Sequence, residues 1–175
     1  MLKQKLYMII GAFLMILTFS TACIPIAEDM EEFDAARKML KENKAACVLM
    51  KDGKIIMTEN GRGVSPLLVI YDKQKGNMKD TVVVDKVIGR ATAAIAICGK
   101  VKHVHAEVMS QEAVDFLNEY KITSSYTLLV PRILNRTRDG LCPMESTVLN
   151  ISDPYKAVEA VRAKQTELRR NVKKK

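Results

Sequence analysis

The order of apolar, β-branched runs and helix-periodic stretches is the feature that most constrains the fold of this chain. Runs such as TVVVD alternate with segments in which apolar residues recur at three- and four-residue spacing, as Ala113, Phe116, Leu117 and Tyr120 do. Strands that alternate with helices need crossover connections, which make the strands parallel and place helices against the sheet. The pattern therefore predicts an α/β domain.

A β-hairpin is predicted before the alternating part, because AACVLM and KIIMTE flank Lys51-Asp52-Gly53 and Asp-Gly favours a tight turn. Ser65-Pro66, Ser110 and Asp153-Pro154 are typical helix starts. A small-residue helix, KVIGRATAAIAICGK, is expected to follow TVVVD directly. We expect one domain over residues 28–168, with a mixed, mostly parallel five-stranded sheet, an N-terminal hairpin and helices on both faces.

The first 22 residues have the pattern of a secretory signal peptide, because Lys3 and Lys5 precede an apolar run over residues 6–19. This run is shorter than the roughly 20 residues that span a bilayer as a helix. Cys23 follows Ser20-Thr21-Ala22, which resembles a bacterial lipobox and makes Cys23 the candidate lipidation site. We expect an exported, membrane-associated lipoprotein; the alternative is a cytoplasmic domain with an N-terminal signal anchor.

The formal net charge of +8 does not by itself indicate a nucleic-acid-binding protein. Most of the excess lies in Lys3, Lys5 and a basic tail over residues 169–175, RRNVKKK, which has no interleaved aromatic residues. We therefore do not expect nucleic acid as a partner. The four cysteines include no C-x-x-C pair, so a disulfide scaffold is not expected either.

The segment HVHAE contains the H-x-E motif of zinc nucleobase deaminases. In those enzymes the motif opens a helix, and a P-C-x-x-C motif supplies two thiolates. His105-Ala106-Glu107 instead lies in an alternating strand, and LCPME has Glu145 where a second cysteine would stand. His103 and His105 share one strand face and could hold a metal, but a polar strand face is the commoner arrangement. We expect no metal and no cofactor.

The junction DKVIGRATA is a candidate anion site, because ligands of parallel sheets bind beyond the carboxyl ends of the strands. Asp85 and Lys86 are predicted at a strand end, with Gly89 and Arg90 in the first helical turn. The alternative is that Asp85 caps the helix while Lys86 and Arg90 face water. GRGVSP precedes the previous helix in the same way, so Gly63 and Ser65 join the candidates.

The polar loop ILNRTRDGLCPMES follows a predicted core strand, and ordering such a loop is costly unless it packs or binds. Cys142 could be a nucleophile if neighbouring arginines lowered the pKa of its thiol. No histidine base is near it in sequence. The remaining candidate ligand-binding residues of the loop are Asn135, Arg136, Asp139 and Glu145.

Together, DKVIGRATA, HAEVMS and LVPRILNRTRDGLCPMEST resemble an uncharacterised bacterial family of domains of unknown function with a cytidine-deaminase-like fold and no zinc motifs. The resemblance covers roughly residues 30–163 and implies a single three-layer domain. It implies that the helices opened by H-x-E and P-C-x-x-C in deaminases correspond to those opened here by Gly63-Val64-Ser65 and by residues 85–89. It also implies a former metal site without ligands, framed by Asp85, Lys86, Asn135, Arg136, Asp139, Cys142 and Glu145.

We expect a domain that binds a small anionic or nucleotide-like ligand at the carboxyl ends of the strands. One alternative is a metal-independent enzyme that uses Asp85 and Lys86 for proton transfer, or Cys142 as nucleophile. A second is an envelope lipoprotein that binds a protein partner, with the fold as a scaffold. The membrane would be contacted through the N-terminus.

Overall fold

The computed structural model of the protein describes residues 33–173. The predicted signal over residues 1–22, the candidate lipidation site Cys23 and the last two residues of the basic tail lie outside this range. Within it, no helix has the length and apolar character needed to cross a membrane.

The secondary structure follows the predicted order of helices and strands. In chain order the elements are α1 (Asp34–Lys41), β1 (Cys47–Lys51), β2 (Lys54–Glu59), α2 (Ser65–Lys73), β3 (Val82–Ile88), α3 (Arg90–Gly99), β4 (His103–Ser110), α4 (Gln111–Glu119), β5 (Thr123–Val130), α5 (Pro143–Val148) and α6 (Pro154–Lys173).

The five strands form one mixed sheet in the order β2-β1-β3-β4-β5. β1 is antiparallel to both β2 and β3, whereas β3, β4 and β5 are parallel. Asp52 and Gly53 join β1 to β2 with φ angles of 49° and 70°, the left-handed values that a tight hairpin turn needs. The predicted α/β architecture, with an N-terminal hairpin and parallel strands joined by helices, is confirmed.

Successive residues of a strand face opposite sides of the sheet, and this alternation divides the core into two clusters. On one side, Val48 and Met50 of β1 pack with Phe33 and Leu40 of the α1 segment. The other side, which Cys47 and Leu49 face, is much larger. Its cluster contains residues of each of the other five helices, among them Leu67, Ala94, Phe116, Val148 and Val161. Helices thus cover both faces, as expected.

The boundary between β3 and α3 differs from the prediction. The helix was expected to begin at Lys86, but β3 continues to Ile88, and Gly89 flanks the first helical residue, Arg90. Strand pairing explains the difference, because Val87 and Ile88 align with Val108 and Met109 of β4. A pairing that depends on a distant segment is not visible in local periodicity. Asp85 and Lys86 therefore lie within a strand, and Asp85 does not cap α3.

The helix starts agree more closely with the sequence. Ser110 precedes α4, and its Oγ accepts a hydrogen bond of 3.2 Å from the N–H of Ala113. Asp153 Oδ1 accepts bonds from the N–H groups of Tyr155 and Lys156 at the start of α6. Ser65, expected to precede α2, is instead its first residue. α6 continues beyond the predicted end at residue 168, so the first basic residues of the tail belong to a helix.

Candidate ligand-binding site

A cavity of about 520 Å³ lies where β3 approaches its carboxyl end and the chain leaves β2. Its position follows from the topology, because β1 runs antiparallel to β3 and brings Cys47 opposite Asp85 and Ala46 beside Lys86. We call it the Asp85 cavity. Its lining residues are Ala46, Gly61, Arg62, Gly63, Asp85, Lys86, Val87 and Arg136.

Asp85 is the acidic residue of this cavity and is only 5% exposed. Its Oδ1 accepts a 3.0 Å hydrogen bond from the N–H of Val87, and the Cys47 thiol and the Lys86 N–H also donate to the carboxylate. Burial raises the pKa of Asp85 to about 7, because the loss of hydration outweighs these donors and the nearby Lys86 charge. Near neutral pH this carboxyl group can therefore both take up and release a proton.

Burial also raises the pKa of the Cys47 thiol, and the adjacent Asp85 carboxylate raises it further. The thiol is therefore a hydrogen-bond donor to Asp85 rather than a thiolate nucleophile. The Lys86 ammonium donates a 2.7 Å hydrogen bond to Asn43 Oδ1, which holds it beside the end of α1. Cys47 and Lys86 thus determine the surroundings of the Asp85 carboxylate.

A second cavity, of about 660 Å³, adjoins the first. We call it the arginine cavity. Val64, Met144 and Leu168 give it an apolar wall, and Gln165 Nε2 donates a 2.5 Å hydrogen bond to Ser65 Oγ between α6 and α2. The full lining is Arg62, Gly63, Val64, Ser65, Arg136, Met144, Gln165, Thr166, Leu168, Arg169 and Arg170.

Arg62, Gly63 and Arg136 line both cavities and therefore mark the boundary between them. Among the residues that the structure describes, none of the four arginines of the arginine cavity has a carboxylate within ion-pair distance. Other arginines are paired: Arg132 with Glu112 and Arg162 with Asp72. The concave surface thus concentrates positive charge that the described part of the protein does not neutralise.

Arg136 belongs to a loop that its own side chains hold in shape. Asn135 Nδ2 and Thr137 Oγ1 each donate a 2.7 Å hydrogen bond to Asp139 Oδ1. These donors lower the pKa of Asp139. The N–H of Asn135 also donates to the carbonyl of Gly140. Asn135 and Asp139 consequently shape the loop that presents Arg136, and they line neither cavity.

The start of α3, expected to receive an anion, holds the protein's own Glu145. This carboxylate accepts hydrogen bonds from the N–H groups of Arg90 and Ala91, and a 3.0 Å bond from Ser110 Oγ. Glu145 is 2% exposed, and burial raises its pKa although these donors oppose the shift. Gly89 leaves space for it, because a Cβ atom there would lie 2.9 Å from the Glu145 carboxyl carbon. Glu145 therefore satisfies the helix end that a ligand would otherwise contact.

Arg90 is also engaged within the protein. Its guanidinium donates to the carbonyl groups of Val148 and Ile151 at 3.2 and 2.9 Å and lies 3.9 Å above the Phe116 ring. These contacts join α3 to the segment between α5 and α6. Arg90 is partly buried and its guanidinium is bound within the protein, so it has a structural role.

The structure brings four of the predicted residues into the Asp85 cavity and leaves six outside both cavities. Gly63, Asp85, Lys86 and Arg136 line the Asp85 cavity, and Ser65 lines the arginine cavity. Cys142 is half-buried just before α5. The residues outside both cavities are Gly89, Arg90, Asn135, Asp139, Cys142 and Glu145.

The sequence pattern did not indicate Arg62, Arg169, Arg170 or the apolar wall as parts of a site. Arg62 stands between two glycines in GRG, and a charged residue inside such a turn is the signal that points to it. Gln165, Leu168 and Arg169 are spaced at three and four residues and so share one helical face, which the predicted end of α6 concealed.

The HVHAE segment is the predicted strand, and its polar side chains lie beneath α1. His103 contacts Thr123 Oγ1 and Ser125 Oγ at 2.8 Å each, and His105 contacts Ser125 Oγ at 2.8 Å. The Phe33 ring packs on both imidazoles, at centroid distances of 5.3 and 5.4 Å. No group of three or more histidine, cysteine, aspartate or glutamate side chains among residues 33–173 is arranged to hold a metal ion.

Comparisons with known proteins place these features in a family. Residues 35–165 match the sequence profile of a domain of unknown function, DUF1893. The crystal structure of a DUF1893 family protein from Thermotoga maritima is similar, with a TM-score of 0.69 and 27% identity, over 77% of this chain and 90% of that chain. A search of the curated proteins finds no match. The predicted resemblance to an uncharacterised bacterial family is confirmed, and the chain belongs to the DUF1893 family.

Proposed function

We propose that this domain binds a small anionic ligand in the cleft formed by the Asp85 cavity and the arginine cavity. The observation that carries the proposal is the set of four arginines that line one concave surface without carboxylate partners among the described residues: Arg62, Arg136, Arg169 and Arg170. Concentrating like charges opposes folding, and a bound anion would offset that repulsion.

The chemistry of the lining favours a phosphate or carboxylate group. A guanidinium presents parallel N–H donors that match such groups in a bidentate geometry. Each cavity has a volume typical of small-molecule sites, about 520 and 660 Å³. The apolar wall of Val64, Met144 and Leu168 also suits the body of a nucleotide-like compound.

Ligand binding is tested by thermal-shift measurement and calorimetry on the full-length protein with inorganic phosphate and adenosine monophosphate as probes. We expect both probes to stabilise the wild type. Arg136→Gln should weaken binding by about tenfold or more, since a hydrogen bond to a charged group contributes about 1.5–3 kcal/mol.

The matched control is Arg138→Gln, because Arg138 is exposed in the same loop and lines neither cavity. Equal responses of the two variants, or no stabilisation of the wild type by either probe, would contradict the proposal. A short single-stranded oligonucleotide that binds far more tightly than either probe would also contradict it, since it would favour an extended nucleic-acid surface.

A second candidate function is metal-independent proton transfer by Asp85. The favouring observation is a buried carboxyl group that lines a cavity and has a pKa of about 7. Cys142 lines neither cavity, so the structure favours Asp85 over a thiol nucleophile. Incubation of stabilising ligands in deuterated water tests this function: we expect Asp85-dependent exchange of a carbon-bound hydrogen, and its absence for every such ligand would contradict it.

We further propose a relationship to the cytidine-deaminase fold without zinc chemistry. It is supported by the strand order β2-β1-β3-β4-β5 and by helices α2 and α3, whose starts carry Gly63-Val64-Ser65 and Gly89 instead of metal-binding motifs. The Glu145 carboxylate occupies the start of α3. Elemental analysis should find less than one zinc per purified chain, and stoichiometric zinc would contradict this.

For its location, we propose an exported lipoprotein anchored at Cys23, with the membrane contacted through the N-terminus. The sequence pattern before Cys23 is the support. Membrane fractionation of wild type and Cys23→Ala tests it, with Cys142→Ala as the matched control. Unchanged membrane retention of Cys23→Ala would exclude lipidation of Cys23 as the anchor.

If the protein is an envelope module that binds a protein partner, neither anion probe should bind.

A further inference from the structure

Asp85 is chemically unlike the rest of the cavity that it lines. Arg62 and Arg136 there attract an anion, whereas a carboxylate repels one. An anionic group held by the two arginines is therefore not expected to contact Asp85. A different part of the ligand must face this side chain.

The protein holds Asp85 in one orientation. The Val87 N–H donates to Oδ1 at 3.0 Å, and the buried Cys47 thiol and the Lys86 N–H also donate to the carboxylate. A carboxylate offers about four lone-pair positions on its two oxygens, so these donors leave capacity for about one more. Because Asp85 is 5% exposed, that donor can reach it only from the cavity.

We propose that the ligand is bifunctional, with an anionic group bound between Arg62 and Arg136 and an ammonium, N–H or hydroxyl donor bound to Asp85. This inference rests on the proposed anion-binding function and specifies its ligand class: phosphorylated or carboxylated compounds that also carry a hydrogen-bond donor. The two arginines and Asp85 would then select together for both groups of one molecule.

The protonation of Asp85 gives this class a measurable signature. Burial raises the pKa of Asp85 to about 7, so the carboxylate form increases as pH rises through neutrality. A cationic donor should therefore bind more tightly at about pH 8 than at about pH 6, after correction for the ionisation of the phosphate itself. A phosphate ester without a donor should lack this gain.

The test compares O-phosphoethanolamine with ethyl phosphate, two esters of similar size that differ by an ammonium group. Calorimetry on the full-length wild type at about pH 8 should give about tenfold tighter binding of phosphoethanolamine, the range of a hydrogen bond to a charged group. Asp85→Asn should abolish this preference while ethyl phosphate binding is retained. Cytidine monophosphate, whose base carries an amino group, extends the comparison to a neutral N–H donor.

The outcomes separate this inference from the proposed function. If ethyl phosphate binds and neither donor-bearing probe binds more tightly, the bifunctional ligand is overturned while anion binding stands. If no anion binds, both are overturned. Should Asp85→Asn fail to fold, the wild-type comparison at the two pH values decides: a preference for phosphoethanolamine that does not increase with pH overturns the role of Asp85.

Discussion

Two buried carboxyl groups, Asp85 and Glu145, are satisfied in different ways. Burial raises the pKa of both. Glu145 accepts bonds from the start of α3 and from Ser110, so its contacts are within the protein. Asp85 is held by Val87 and Cys47 at the wall of a cavity. A carboxyl group that closes a helix end is structural, whereas one at a cavity wall is available to a ligand.

Asp85→Asn should remove a pH-dependent loss of stability. Its pKa is about 7 in the fold and 3.8 in the unfolded reference, so the native state binds the proton more tightly. The stability from this group is full below about pH 4 and is lost as pH rises to about 7, by up to about 4 kcal/mol. Urea unfolding across this range should show that the free energy of unfolding of the variant rises relative to that of the wild type as pH rises. Parallel stability curves would contradict the assignment.

Gly89→Ala should destabilise the protein by about 1–3 kcal/mol, the usual cost of overpacking. The added Cβ atom would overlap the Glu145 carboxylate, whose carbon would be 2.9 Å away, so this side chain would have to move and weaken its bonds to the Arg90 and Ala91 N–H groups and to Ser110 Oγ. Gly140→Ala is the matched control, since its Cβ atom would have its nearest neighbour, Asn135 Nδ2, at an ordinary 3.5 Å. Urea unfolding of both variants checks this, and equal losses would argue against the close approach of Glu145 to α3.

At the scale of elements, α1 is the one helix of the described chain on its face of the sheet, where it covers a stripe of polar side chains. Phe33 packs on His103 and His105, and Arg37 lies 3.7 Å from Glu107. The opposite face has a larger core to which five helices contribute. Few apolar contacts hold α1, so it should open before the rest of the fold.

Phe33→Ala should therefore lower the free energy of unfolding by about 3–5 kcal/mol. The first effect should be more frequent local opening of α1. Phe33 is 2% exposed and is the aromatic residue of the smaller cluster. Hydrogen exchange should quicken in α1 while α3 keeps its protection. Asp34→Ala, at an exposed position of the same helix, is the control and should change exchange little. Uniform loss of protection across α1 and α3 would show that the two faces unfold as one unit.

At the scale of the whole molecule, residues 33–173 build two core clusters on the two faces of one sheet. Near the carboxyl end of β3, the start of α2 meets the edge of this sheet. The cleft therefore belongs to one folded unit.

A chain that begins at Glu31 should unfold cooperatively in urea, because it retains both clusters. A chain that begins at Lys44 lacks α1 and would expose the apolar side of Val48, Met50, Val82 and Val84. We expect it to lose several kcal/mol of stability or to aggregate, at about 25 cal/mol per Å² of apolar surface exposed. Circular dichroism and urea unfolding compare the two. Similar stability of both chains would contradict the importance of α1.

Local chemistry accounted for most element boundaries. The Asp52-Gly53 turn, the Ser110 cap and the Asp153 cap each depend on a few adjacent residues, so the sequence indicated them directly. The local pattern predicts a helix for Val87 and Ile88, and this prediction is wrong because their strand conformation depends on pairing with β4. Asp85 was identified as a candidate residue, but its cavity wall, its burial and its contact with Cys47 were not visible.

The sequence by itself determined the order of strands and helices, the hairpin, the helix starts and the family, since these depend on periodicity, turn residues and motifs along the chain. Only the tertiary structure decided which polar residues are hydrogen-bonded within the protein and which face a cavity. Glu145 fills the start of α3, whereas Arg62, Arg136 and Arg169 converge from two loops and a helix. The physical reason is that burial and convergence arise from contacts between distant segments, which no local pattern encodes.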